Sequence, residues 1–380
     1  MRRIYLDYAA TTPLDNEILE KMLPYFSDGF GNPNSPHETG RRAMAAVDNA
    51  RDTVAELLNA KPSEIYFTSG GTEADNWAIL GGAYAQRELG KTEVIISAIE
   101  HHAVLGAAER LEKEGFTVRY LPVDACGEVC VEQLKSLLTE KTGLVAIMLA
   151  NNETGVVQDV KTLAETVHAN GSIFFTDAVQ AAPYIPLDVK ALGVDMLSLS
   201  GHKFYGPKGV GVLYVKNGVK VWPHALGGEQ ERGLRGGTLN VPAIVGLAAA
   251  YKKNRDTMSA TNEKITAAKE LFIKEISSLG GVCINNSEEE VPSILNVRFQ
   301  GILNVDILYN LDLRGVSAAA GSACSSSSIQ PSHVLLAMGM TKEEARECVR
   351  FSFGKYTTEE EVKEGAAILR EVVEKLRKEG

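Results

Sequence analysis

The 380-residue chain lacks most of what would mark it for a membrane, a disulfide-stapled scaffold or a nucleic acid. No apolar run reaches the ~18 residues that suggest a membrane span. The opening residues, Met1-Arg2-Arg3-Ile4-Tyr5-Leu6-Asp7, run straight into a strand-like segment. They lack the apolar stretch and small-residue cleavage site of a secretory leader, so the cytoplasm is the expected compartment. Cysteines are few and odd in number: Cys126, Cys130, Cys283, Cys324 and Cys348. Such a set does not make a disulfide framework. Cys126 and Cys130, beside Gly127, have no second pair to complete a metal site; they read as two thiols near a turn, and no metal is expected. Basic residues number 39 against 49 acidic, a net charge of −10, which argues against direct nucleic-acid binding. The nearest thing to low complexity is Ser325-Ser326-Ser327-Ser328.

What is present is the mix of a globular protein, 44% hydrophobic and 23% charged, with length for one large core or two domains. Short apolar strands alternate with helices. Strands are predicted over 65–68, 93–97, 118–121, 144–149, 173–176, 194–199 and 210–215. Helices are predicted over 73–87, 102–114, 131–138 and 160–169. This alternation implies βαβ units and a mostly parallel buried sheet, with ligands at the carboxyl ends of the strands. After about residue 255 the texture changes. A charged amphipathic helix (260–278), a strand (294–299) and helices over 305–313, 342–350 and 358–378 suggest a smaller α+β domain. The expected division is a large domain, 16–255, and a small one made of 1–15 with 256–380, which carries a mobile cysteine loop at about 318–332.

The chemistry sits where strands end. Lys203 follows the strand 194–199 in Ser200-Gly201-His202-Lys203, and an unpaired ammonium at the end of a buried strand needs a reason. Asp177 leaves the strand 173–176. A lysine that can form a Schiff base and an aspartate that can pair with a pyridinium nitrogen are the groups a pyridoxal phosphate site needs most. Ser69-Gly70-Gly71-Thr72-Glu73, between strand and helix, is a phosphate cup or an ordinary βα turn. His101, in Glu100-His101-His102, could stack on a flat ring or be a satisfied polar group. Asn152 and Gln180 carry amides for a phenolic oxygen, or are turn formers. Arg235-Gly236-Gly237-Thr238 suits an anion, or is a surface loop. Arg350, in an apolar run, matches a carboxylate or makes a structural salt bridge. Every neighbour of Cys324 in Gly321-Ser322-Ala323-Cys324-Ser325 is small, so an accessible thiol on a tether, or a plain surface cysteine, is expected.

Taken together, from Tyr5-Leu6-Asp7-Tyr8-Ala9-Ala10-Thr11-Thr12-Pro13 to Arg350-Phe351-Ser352, the chain resembles the cysteine desulfurases of NifS/IscS type. These are enzymes of the aspartate-aminotransferase fold (fold type I), an α/β class. The resemblance covers nearly the whole chain and implies roles. Lys203 would hold pyridoxal 5′-phosphate, and Asp177 would pair with its ring nitrogen. His101 would stack on the ring and act in proton transfer. Asn152 and Gln180 would contact ring substituents. Gly71, Thr72, Ser200 and His202 would hold the phosphate, and Thr238 would reach the phosphate of a neighbouring subunit, which implies a homodimer. Arg350 with Asn32 or Asn34 would grip the carboxylate of L-cysteine. Cys324 would be the nucleophile that takes the sulfur as a persulfide and hands it to an acceptor protein, for instance an iron–sulfur scaffold. Family members often carry an extended C-terminal tail that helps dock a scaffold; this chain stops at Gly380, which leaves the docking partner open. His102 stands where a lysine is often found. A selenocysteine lyase, another β-lyase on this fold and a non-catalytic sulfur-relay scaffold are the alternatives.

Overall fold

The computed structural model describes residues 3–285, 287, 289–321 and 331–379. Cys324 and the serine run after it lie outside the described residues. The strands are β1 Ile4–Tyr5, β2 Ile65–Thr68, β3 Glu93–Ser97, β4 Thr117–Leu121, β5 Thr142–Ala146, β6 Ile173–Asp177, β7 Met196–Ser200, β8 Gly211–Val215, β9 Val282–Ile284, β10 Ile294–Phe299, β11 Val316–Ser317 and β12 Cys348–Ser352.

Seven of them form one sheet in the order β2-β8-β7-β6-β5-β3-β4. The pairs β3/β4, β3/β5, β5/β6 and β6/β7 are parallel, while β8 runs antiparallel to both its neighbours. Six strands therefore point the same way, and their carboxyl ends share one edge with the start of β8. Strands β2, β3, β5, β7 and β8 are buried throughout, which explains their continuous apolar sequences. The edge strand β4 is exposed at Thr117 and Tyr120. Helices cover both faces. Val47 and Val54 of helix Glu38–Leu57, with Leu247 and Tyr251 of helix Val241–Ile276, pack on the side of Phe67, Leu197, Leu199 and Val212. Trp77, Val104 and Leu111 pack on the side of Ile96, Phe175, Met196 and Leu213. This is the mixed, mostly parallel α/β architecture expected of fold type I.

The remaining strands form a three-stranded antiparallel sheet, β12-β10-β9, and a parallel pair, β1 with β11. Two expected helices differ. The helix expected over 260–278 runs from Val241 to Ile276, capped by Asn240, whose side chain accepts from Ala243 N. Its first half is rich in Ala, Val and Leu and mostly buried, so it lacks the charged stripe that marked the second half. The helix expected over 342–350 stops at Ala345 after a capping box between Thr341 and Glu344. Val349 and Phe351 then join the buried strand β12, where β-branched and aromatic residues pack well.

Candidate active site

The shared strand edge carries a cavity of about 430 Å³, ample for a cofactor-sized ligand. After β2, Gly70 caps the helical stretch that begins at Gly71 and, through a π-helical turn at Trp77–Gly81, continues to Arg87. The backbone here is tightly packed. A Cβ on Gly71 would stand 2.9 Å from Val179 Cγ2, and one on Gly211 would stand 2.5 Å from the carbonyl carbon of Gly70. Ser69 N donates to Glu73 Oε2 (2.8 Å), and Arg235 Nε donates to Glu73 Oε1 (2.8 Å). Burial alone would raise the Glu73 carboxyl, but the bonds from Arg235 and Ser69 outweigh it and hold it at about 2. Arg235 is thus engaged by a carboxylate of its own chain.

After β3, His101 caps the helix His102–Lys113, its Nδ1 accepting from Ala103 N at 3.1 Å. The neutral ring therefore carries its hydrogen on Nε2. Burial, and then the Lys203 charge, pull its pKa down to about 4. Glu100 beside it is fully buried; it accepts from Ser97 Oγ and Met148 N, both at 2.6 Å, and burial pushes it up to about 8. After β5 the chain turns through Asn152, whose backbone oxygen accepts from Arg350 Nη1 (2.7 Å). After β6 comes Asp177, its Oδ1 accepting from Val179 N (2.8 Å). Burial raises its pKa, only partly offset by Val179, Lys203 and Ser198.

After β7, the turn Gly201–Lys203 presents the lysine. Thr12 braces this turn: its N and Oγ1 both donate to His202 O (3.1 and 2.9 Å), and its Oγ1 accepts from Tyr205 N (2.9 Å). Lys203 Nζ donates to Ala9 O (2.6 Å) and Ala10 O (3.0 Å), and Gln180 Nε2 also donates to Ala9 O (2.9 Å). His202 Nδ1 lies 3.1 Å from Thr11 Oγ1, and burial with the charges of Lys203 and Lys208 drops its pKa to about 3.

Gly71, Thr72, His101, Asn152, Asp177, Gln180, Ser200, His202, Lys203 and Arg350 all line this one cavity. Asn32, Asn34 and Thr238 do not line it; all three are exposed, and Asn32 Oδ1 accepts from Asn34 N in a local turn. Arg350 is buried and bonds Asp7 Oδ1 (2.7 Å) as well as Asn152 O, and its Nε has no hydrogen-bond partner among the described residues. Asp75, Met148, Lys208 and a wall formed by Ala9, Ala10 and Thr11 also line the cavity, beyond the residues expected from sequence. Only the wall left a trace in sequence, the run Tyr8-Ala9-Ala10-Thr11-Thr12-Pro13. Cys126 and Cys130 are free and exposed at a turn, and no group of three or more potential metal ligands occurs among the described residues. No helix among them is long and apolar enough to cross a membrane.

The Aminotransferase class-V family model matches residues 4–364. A protein of Clostridium botulinum named cysteine desulfurase IscS is 44% identical over 380 residues, covering 99% of this chain and 96% of its own. One of the same name from Methanosarcina thermophila is 44% identical over 377 residues, covering 99% and 93%. A solved structure titled NifS-like protein superposes with a TM-score of 0.91 at 38% identity, covering 99% of both chains.

Proposed function

The chain belongs to the class-V aminotransferase family, among its cysteine desulfurases, and from that premise we propose that it converts L-cysteine to L-alanine with pyridoxal phosphate. In this reading the sulfur passes through Cys324, as a persulfide, to an acceptor protein. The observation that carries it is the meeting of Lys203 and Asp177, from the ends of neighbouring strands β7 and β6, at one cavity.

The residues fit the cofactor. A buried carboxyl pushed up by its surroundings, as Asp177 is, lacks a sufficient cation, and a ring N–H⁺ would provide one. The backbone around Gly71, with Thr72, Ser200 and His202, would hold the phosphate. Pyridoxal phosphate, when bound, supplies an aldehyde for the amine and a ring that accepts electron density from the α-carbon.

Lys203 would hold the cofactor covalently and, once displaced by substrate, take the α-proton at Nζ. His101, neutral at pH 7, would offer an uncharged face for stacking and a hydrogen on Nε2 for proton transfer. Gln180 and Asn152 would orient the ring through their amides. Arg350, steadied by Asp7, has a buried Nε–H still open for a carboxylate, with Asn32 or Asn34 assisting. Thr238, exposed and away from this cavity, would serve the neighbouring subunit's site in a homodimer. The Cys324 thiolate would attack the substrate sulfur: the S–S bond forms as the Cβ–S bond breaks, and the departing carbon skeleton is protonated to alanine. The acceptor would be an iron–sulfur scaffold or another sulfur-using pathway, and the cytoplasm its setting.

We further propose a division into a large domain, 16–255, and a small one, 1–15 with 256–380; the containment of the seven-stranded sheet in 16–255 and the pairing of β1 with β11 support it, while helix Val241–Ile276 is continuous across the boundary.

Adding pyridoxal phosphate to the purified protein should give a near-visible absorbance band that borohydride removes. Cys324→Ala should keep that band and lose alanine release. No band at all would overturn the assignment; full turnover by Cys324→Ala would overturn the nucleophile alone.

A further inference from the structure

Asp75 lies in the first turns of the helix after Gly71, is 1% exposed and lines the cavity. Its Oδ1 stands 2.5 Å from Ser198 Oγ. Ser198, in β7, is fully buried and is the cross-strand partner of Asp177 in β6, close enough for its hydroxyl to favour the charged form of that carboxyl. One serine hydroxyl therefore stands between two buried carboxyls, in contact with Asp75 and on the strand position opposite Asp177. A hydroxyl has a single hydrogen to give, and two carboxylates in one dry site cannot both ionise. Asp177 faces Lys203, a cation; the charged groups acting on Asp75 are acidic, Asp177 and Glu100, and burial with these raises its pKa well above the ordinary range.

We propose that Asp75 is a positioning residue for the cofactor ring: it donates a hydrogen bond to Ser198 Oγ, so that Ser198's own hydrogen is left for Asp177. The chain Asp75–Ser198–Asp177 then keeps the charge on the one carboxylate that faces the ring and fixes that carboxylate's direction. The geometry separates the two acids by role. Asp177 would touch the cofactor; Asp75 acts only through Ser198.

The inference rests on the pyridoxal phosphate reading, and the test separates the two. In protein loaded with pyridoxal phosphate, the cofactor dissociation constant is measured for wild type, Asp75→Asn, Asp75→Leu, Ser198→Ala and the Asp75→Leu/Ser198→Ala double variant. Asparagine can donate to Ser198 as a protonated acid does, so Asp75→Asn should match wild type. Asp75→Leu and Ser198→Ala should each loosen the cofactor about tenfold, the worth of one hydrogen bond to a charged group. The double variant should lose no more than either single one, because both break the same chain. In the infrared spectrum, a protonated-carboxyl band should vanish in Asp75→Asn while that of Glu100 remains. Asp75→Asn binding as poorly as Asp75→Leu, additive losses, or no lost band would each overturn the proposal. Wild-type protein that takes up no cofactor would overturn the underlying reading as well.

Discussion

Asp15 and Asp177 are equally buried, each 4% exposed, yet their carboxyls are driven in opposite directions. Asp15 caps the helix Asn16–Met22 and sits in a knot of its own cations. Lys253 Nζ reaches Oδ1 at 3.0 Å, Lys355 Nζ reaches Oδ2 at 2.6 Å, and Tyr356 OH donates to Oδ2 at 3.2 Å. Burial alone would raise its pKa; the two lysines outweigh burial and hold it far below the usual range. Asp177 has one backbone N–H, a neighbouring hydroxyl and a nearby lysine, and burial wins. The difference teaches that paired cations can reverse the sign that burial alone would give. A buried acid closed by its own chain is a rivet, whereas one left short of a cation marks a place for something from outside.

The comparison can be broken first at the cavity. Lys203→Ala should cut alanine release by about 10²–10⁴-fold, the range expected when a positioned base is lost, with little change in melting temperature. The knot should respond the other way. Asp15→Ala should lower unfolding free energy by about 2–4 kcal/mol, since two ammonium groups lose their partner, and leave cofactor binding intact. Asp15 has a depressed folded-state pKa, so its contribution is complete above about pH 4 and fades as the pH falls below that. Denaturant titrations of wild type and variant should therefore converge in acid.

Glu100 sharpens the contrast from the opposite sign. Its pKa is raised to about 8 by burial, so its contribution to stability is complete below about pH 4 and is lost as the pH rises through about 8. Glu100→Gln stays neutral throughout. In the cofactor-free protein its denaturation midpoint should decline less than that of wild type between pH 5 and 9. The smallest effect is a silence. His101, with its pKa near 4, should show unchanged ring NMR shifts from pH 8 down to about pH 5. In Lys203→Ala its midpoint should move up, because the lysine charge is the second cause of the depression.

Much of this was legible in the chain itself. Buried parallel strands announce themselves as unbroken apolar runs, and the polar cluster after each one marks the ligand edge; Ser69–Glu73, Glu100–His102, Asp177 and Ser200–Lys203 all fall there. The first half of the long helix Val241–Ile276 is not legible in the sequence, because a buried segment shows no amphipathic stripe. The start of the strand Cys348–Ser352 is masked in the sequence, because the helix before it stops after a single capped turn. Asp75 gave no signal, since an acid four residues into a helix looks like any solvated residue until Ser198 and Asp177 are brought against it.

By itself, the order of residues determined the sheet, its polarity and the groups delivered to its edge, because hydrophobic period and turn chemistry act over a few neighbours. Only the tertiary structure decided the charge state and company of those groups. Arg350 meets Asp7, Arg235 meets Glu73 and Asp15 meets Lys355 across 343, 162 and 340 positions of chain. Electrostatic energy depends on distance in space and on the water excluded between charges, and neither can be read along a line.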